Sequence, residues 1–153
     1  MTRVVAAVLG MSILAVACTG DGGTPAQITP TPGWQVPDAA PDGSLPVEEF
    51  NRFVEAGGQE WNRSALRTAL EFLALGDEEA LSTRISLRRP EAGDRARVTV
   101  THSGLLDDSV SAVQYVVTLQ QAADGTWRLG SARWAQRCQP GRGHQRFTPR
   151  PCV

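Results

Sequence analysis

The chain contains no lysine: all fifteen of its basic residues are arginine, and they stand against sixteen acidic residues. The net charge of −1 at pH 7 lacks the basic excess of most nucleic-acid-binding domains, so we expect no nucleic-acid partner. Guanidinium groups pair bidentately with phosphate or carboxylate. Every arginine or lysine position in this protein can therefore bind phosphate or carboxylate in the bidentate geometry, because all of them are arginine.

An apolar run long enough to cross a bilayer is also missing. The run from Val4 to Val16 has 13 residues, whereas a spanning helix needs roughly 20. It follows the short cationic start Met1-Thr2-Arg3. A cationic start and a short apolar run are typical of a secretory signal peptide, which we assign to residues 1–17.

The segment Leu14-Ala15-Val16-Ala17-Cys18 resembles the lipobox of bacterial lipoproteins. The family prefers Leu three residues before the cysteine, where this chain has Ala15. The resemblance implies cleavage between Ala17 and Cys18 and attachment of a diacylglyceryl group and acyl chains such as palmitate to Cys18. Two or more chains hold a protein stably on a membrane, so the resemblance implies a lipid anchor at the extracytoplasmic face of the cell membrane. The alternative is an ordinary signal peptide that leaves Cys18 free.

Only two further cysteines are present, Cys138 and Cys152. The exported side of a membrane permits disulfides, and a bridge between these two closes a loop of about 15 residues. The rival is a metal site that adds His144 to the two thiols, at a spacing unlike that of known zinc modules. We predict the disulfide, no metal and no cofactor.

Four segments follow from composition. After the signal peptide, residues 18–44 are rich in Gly, Pro and Thr and predict a disordered tether that cannot bury a core. Its one large apolar residue, Trp34, is expected to dock on the domain; the alternative is that it inserts at the membrane interface. Residues 45–138 form the domain, and residues 138–153 form a basic C-terminal loop closed by the disulfide.

Helical spacing dominates the first part of the domain. Ser44 and Pro46 are typical of a helix start, and Gly57-Gly58 of its end. A second helix is predicted from Gln59 or Ser64 to Leu75. Residues 77–81 are read as an additional turn.

Alternating patterns then predict four strands, at residues 84–88, 96–102, 110–121 and 126–138. Asp124-Gly125 predicts a hairpin between the last two. The fold class is therefore α+β, with N-terminal helices packed on a four-stranded antiparallel sheet.

This order of elements over residues 46–138 resembles the cone fold of the ketosteroid isomerase and nuclear transport factor 2-like group; a cystatin-like sheet wrapped on a helix is the nearest rival. Either resemblance implies a curved sheet. The isomerase-like one implies a pocket, for which Tyr115, Val117 and Trp127 are the candidate lining residues.

Charge is unevenly distributed along the chain. Every acidic residue lies at or before Asp124, and six arginines follow it: Arg128, Arg133, Arg137, Arg142, Arg146 and Arg150. This asymmetry indicates either an anionic partner, such as phospholipid headgroups or a cell-wall polymer, or a basic strand lying against acidic helices of the same domain. The candidate contact surface is the C-terminal loop, with Arg142, His144, Gln145 and Arg146.

No set of titratable residues forms a convincing catalytic constellation. Asp107-Asp108 is more typical of a turn than of a carboxylate pair, and Ser103-Gly104 next to His102 lacks a nucleophile motif. The sequence therefore favours a non-enzymatic envelope lipoprotein that binds an envelope protein, a wall polymer or an anionic ligand. The alternative is a small-molecule enzyme, of isomerase or hydrolase type, that uses the cone pocket.

Overall fold

The computed structural model describes residues 34–57, 59–75, 80–90 and 93–153. The predicted signal peptide, Cys18 and the first part of the predicted tether lie outside these ranges. In the described part, two helices pack on a five-stranded antiparallel sheet, which confirms the predicted α+β class.

The sheet has the order β1-β5-β4-β3-β2. A 3₁₀ turn, Glu60–Arg63, joins the two helices. The elements are β1 Ser44–Leu45, α1 Glu48–Gly57, α2 Ala65–Leu73, β2 Ala80–Arg88, β3 Arg95–Leu105, β4 Val110–Gln121 and β5 Trp127–Cys138.

Strand β1 corrects two predictions, the helix start near Ser44 and the count of four strands. Ser44 pairs with Arg133 and Leu45 with Ala132, so these two residues extend the sheet beyond β5. The first helix begins only at Glu48. Ser44 has the side chain of a helix cap, but its backbone is held by the edge of a distant strand.

The other predicted elements need smaller changes. Of the two proposed starts for the second helix, Ser64 is the observed one, and its hydroxyl accepts a hydrogen bond from the backbone of Arg67. Strand β2 begins at Ala80 rather than at residue 84, so residues 80–81 are strand and not a turn. The strands predicted around residues 96–102, 110–121 and 126–138 are confirmed.

The core lies between the helices and the inner face of β3, β4 and β5. Its centre is an aromatic cluster in which Phe50 and Phe72 are fully buried. Trp34 docks on this cluster, as predicted: its ring lies 4.9 Å from that of Phe50, and its indole nitrogen donates a 2.8 Å hydrogen bond to the Phe72 carbonyl. The packed domain therefore includes Trp34.

Aspartates shape the two hairpins that join β3 to β4 and β4 to β5. Asp124 precedes Gly125, whose φ is +83°, and accepts hydrogen bonds from the hydroxyl and the N–H of Thr126. Those bonds lower the pKa of Asp124. Asp107 accepts from the backbone N–H groups of Val110 and Ser109, which lower its pKa in the same way. Asp107 is therefore a turn residue, as predicted.

Candidate anion-binding face

The four long strands contain seven arginines and not one aspartate or glutamate. Successive side chains of a strand point to opposite faces, and the strand register assigns all seven arginines to the face turned away from the helices. We call this surface the arginine face; its basic residues are Arg84, Arg88, Arg95, Arg97, Arg128, Arg133 and Arg137. The Arg128 side chain nevertheless reaches back to Glu55 of α1.

The strand register shows how this face is assembled. Arg88 of β2 lies opposite Arg97 of β3, and Arg97 lies opposite Thr118 of β4. The alternate residues Ala96 and Val98 are buried under the helices. Burial of the apolar set on one face therefore forces the arginines onto the other.

Three of the seven arginines are held by neighbours within the domain. Arg128 pairs with Glu55 of α1 at 2.5 Å, and Arg133 donates to the carbonyl of Asp42 at 3.0 Å. The Ser44 hydroxyl lowers the pKa of the Asp42 carboxyl, with a contribution from Arg133. Arg137 donates to Ser111 and lies 5.5 Å from the centre of the Phe147 ring.

The other four, Arg84, Arg88, Arg95 and Arg97, are exposed. None of them forms an ion pair with an acidic residue of the described ranges. In those ranges, the predicted packing of basic strands against acidic helices therefore holds for Arg128 alone.

Two hollows lie on the arginine face. The first has a volume of about 560 Å³ and is lined by Arg88, Arg95 and Arg97. Gly130, in the irregular stretch where β4 meets β5, has no side chain to fill it. The second hollow, of about 430 Å³, is lined by Arg97, Arg133, residues 147–149 and one acidic residue, Asp42.

Arg97 and Thr118 border both hollows. The hollows therefore lie side by side on the same face, one reaching Arg88 at the end of β2 and the other reaching residues 147–149. Guanidinium groups spaced along such hollows can each pair with one anionic group of an extended ligand.

The C-terminal loop is closed by the predicted disulfide between Cys138 and Cys152, whose Cα atoms are 5.5 Å apart. Beyond the loop's first turn the chain returns along the edge of β5, where Thr148 pairs with Gln136. The loop therefore covers part of a strand edge.

Only two of the four predicted contact residues of this loop have exposed side chains without internal bonds. Gln145 donates to backbone carbonyls of the loop, including that of Gln139 at 3.2 Å. The ring nitrogens of His144 lie 2.9 Å from the carbonyl oxygens of Arg146 and Arg150. His144 and Gln145 thus shape the loop, whereas the side chains of Arg142 and Arg146 are exposed.

The same loop holds the group considered as a metal site. Ligand atoms of Cys138, His144 and Cys152 lie within 4.8 Å of one another. The two sulfurs are bonded to each other, and metal ligation requires thiolates. In this oxidised form the two sulfurs form a covalent cross-link and are not thiolate ligands for a zinc ion.

Of three hollows bordered by described residues, none is lined by Tyr115, Val117 and Trp127 together. Tyr115 lies opposite Trp134 and borders a hollow of about 460 Å³ near residues 36–39. Val117 is fully buried beneath the helices, and Trp127 is buried at the other end of β5, with Arg89 over its ring at 5.0 Å.

Sequence reasoning missed the four exposed arginines of β2 and β3 because it followed charge along the chain. The signal was present in the strand patterns, where Arg95 and Arg97 alternate with Ala96 and Val98. Counting acidic and basic residues strand by strand, and by face, reveals the arginine face.

No protein-family model, no curated protein and no solved structure matches this chain. Among the helices of the described residues, none combines the length and the apolar character needed to cross a membrane.

Proposed function

We propose that this protein is a non-enzymatic binding module of the cell envelope, which holds an anionic ligand on the arginine face. One observation carries the proposal: the four long strands contribute seven arginines, and no acid of their own, to the face that the helices leave open. Asp42, the acid that lines the second hollow, lies beside Arg133, whereas the charged residues described around the first hollow are all arginines. Phosphate groups, in lipid headgroups or in a wall polymer, have the chemistry that guanidinium pairs recognise.

The location of the ligand follows from the predicted anchor. A lipidated Cys18 places the domain on the extracytoplasmic side of the cell membrane, close to phospholipid headgroups and wall polymers. Membrane attachment through the lipid and ligand binding through the arginine face are separate contacts. An envelope protein with an acidic surface is the remaining partner class.

The lipid anchor predicts a specific mass for the mature N-terminus. We expect mass spectrometry of the membrane fraction to find a chain that begins at Cys18 and carries a diacylglyceryl group. Cys18→Ser should release the protein from the membrane fraction. An unmodified Cys18 in the native protein would contradict the anchor and leave the arginine face untouched.

The proposed ligand class can be tested with three arginines of the first hollow. In R88Q/R95Q/R97Q, each exposed charge pair lost costs about 0.5–1 kcal/mol. Affinity for phosphatidylglycerol vesicles or soluble polyphosphate should therefore fall roughly ten- to a hundredfold. Added salt should weaken binding by the wild type, because exposed charges are screened.

Two control variants make this result specific. R52Q/R63Q/R67Q removes three exposed arginines from the helical layer and changes the net charge equally, which makes it a matched control. It should leave binding unchanged, because these arginines lie outside the arginine face. R142Q/R146Q tests the C-terminal loop as an additional contact. Equal losses in the sheet and helix variants would contradict a specific arginine face, and wild-type binding to neither probe would contradict the ligand class.

Kinship with the isomerase-like cone or with the cystatin-like fold is part of the proposal. Support comes from the chain order, in which helices precede four long antiparallel strands connected in sequence. An enzyme of this group would need a ligand in the hollow beside Tyr115. Our proposal places the ligand on the opposite face of the sheet.

A further inference from the structure

The two edges of the sheet differ in how much of their backbone is paired. β1 pairs with one part of β5, and Thr148 pairs with another, so the edge formed by β5 is partly covered. At the opposite edge, β2 pairs with β3 alone among the described strands. Among the described residues, no strand therefore pairs with the outer side of β2, where alternate residues direct their N–H and C=O groups.

Strand β2 has only one of the usual protections of an edge, the charged side chains of Arg84 and Arg88 on one of its faces. Other natural edge strands carry prolines or inward-pointing charges, or are kept very short. β2 has nine residues and no proline, and Leu81, Ile85 and Leu87 occupy its helix-side face. These side chains are 83%, 44% and 46% exposed, because the helices pack over β3, β4 and β5.

The other face of β2 is basic. Arg84 and Arg88 point away from the helices, and Arg88 lies beside Arg97 of β3. A strand added along β2 would place its alternate residues on the same two faces. The residues of that strand facing the helix side would contact the apolar stripe, and those on the other side would lie beside the arginines.

We propose that the open edge of β2 binds an extended segment of a partner protein in which apolar residues alternate with acidic residues. Main-chain hydrogen bonds supply affinity in this mode of recognition, and alternate side chains supply specificity. A second copy of this chain fits less well, because β2 contains no acid to face Arg84 and Arg88.

The proposal can be tested with the full chain and three synthetic ten-residue peptides. The first alternates Val or Ile with Glu, the second has the same composition with the Glu residues in one block, and the third has Lys in place of Glu. We expect the first to bind at least tenfold more tightly than the others in fluorescence anisotropy. Hydrogen exchange of the β2 amides should slow when it binds.

Three variants identify the surface. Charge reversal in R84E/R88E should lower the affinity for the Glu peptide at least tenfold and raise the affinity for the Lys peptide. I85E should lower the affinity for both peptides. L106E, which places the same charge at an exposed loop position, should leave both affinities unchanged. Because β2-edge binding needs Ile85 and polyphosphate binding does not, I85E should keep its polyphosphate affinity.

Three results would overturn the proposal. The first is equal affinity for the alternating and the block peptide. The second is an R84E/R88E variant that still prefers the Glu peptide to the Lys peptide as the wild type does. The third is a dimer of the free protein in which the β2 amides are already protected from hydrogen exchange. The last would assign the edge to a second copy. None of these results bears on vesicle or polyphosphate binding by the arginine face.

Discussion

Replacing Phe50 by alanine is expected to reduce the free energy of unfolding by about 3–5 kcal/mol, the usual cost of removing a buried aromatic side chain. Phe50 is fully buried and lies at the centre of the aromatic cluster. Its ring is 4.9 Å from Trp34, 5.3 Å from Phe72 and 5.9 Å from Trp61. The cavity left by alanine would remove all three contacts at once.

Urea denaturation followed by tryptophan fluorescence measures this loss. Phe53→Ala is the matched control, because Phe53 lies in the same helix but is only half buried, and its loss should be less than half as large. Phe50→Leu keeps most of the volume and should cost below about 1.5 kcal/mol, which gives a measurable value if the alanine variant does not fold. Equal effects at the two phenylalanines would contradict the central position of Phe50.

Removing the disulfide in C138A/C152A is expected to lower the free energy of unfolding by about 3 kcal/mol, since the bridge closes a loop of about 15 residues. The loss has a local part as well. Thr148 pairs with Gln136, and the Cys138 N–H donates to the His144 carbonyl. Without the cross-link, residues 144–153 have fewer constraints holding them to β5.

Hydrogen exchange separates the two parts of this prediction. Amides of Gln136 and Thr148 should exchange faster in the double variant, whereas those of β3 should lose protection only as far as global stability falls. Dithiothreitol should reproduce the effect in the wild type and have no effect on C138A/C152A. Unchanged exchange at Gln136 and Thr148 would show that the loop is held by its other contacts.

Much of the fold could be predicted because local pattern and tertiary environment agree. Alternation in β3 and β4 matches a sheet with one buried face, and Asp124-Gly125 matches the turn that joins β4 to β5. β1 could not be predicted, since two residues cannot show alternation and their pairing partners Arg133 and Ala132 are about ninety residues away. The start of β2 was missed because an open edge imposes little pattern.

The candidate site was predicted only in part. The excess of arginine after Asp124 is compatible with an anionic partner or with packing on acidic helices, and the sequence predicts the C-terminal loop as the candidate contact surface. There, His144 and Gln145 bond to the loop's own backbone. The face of the sheet on which each arginine lies depends on the pairing register of its strand. Arg97 and Arg133 share one face because both strands pair with β4 in the observed registers.

The covered edge of β5 also limits how many molecules can join. A sheet with one open edge can pair with a strand of one partner only, so edge-to-edge association ends after that partner. The C-terminal segment, tied down by Cys138–Cys152, closes part of the other side. Reduction of that bond would loosen only the part of the second side near Gln136, because β1 would still pair with β5 and Asn51 would still bond the backbone of Leu129. Growth into an open-ended fibre would therefore remain blocked at most of the β5 edge.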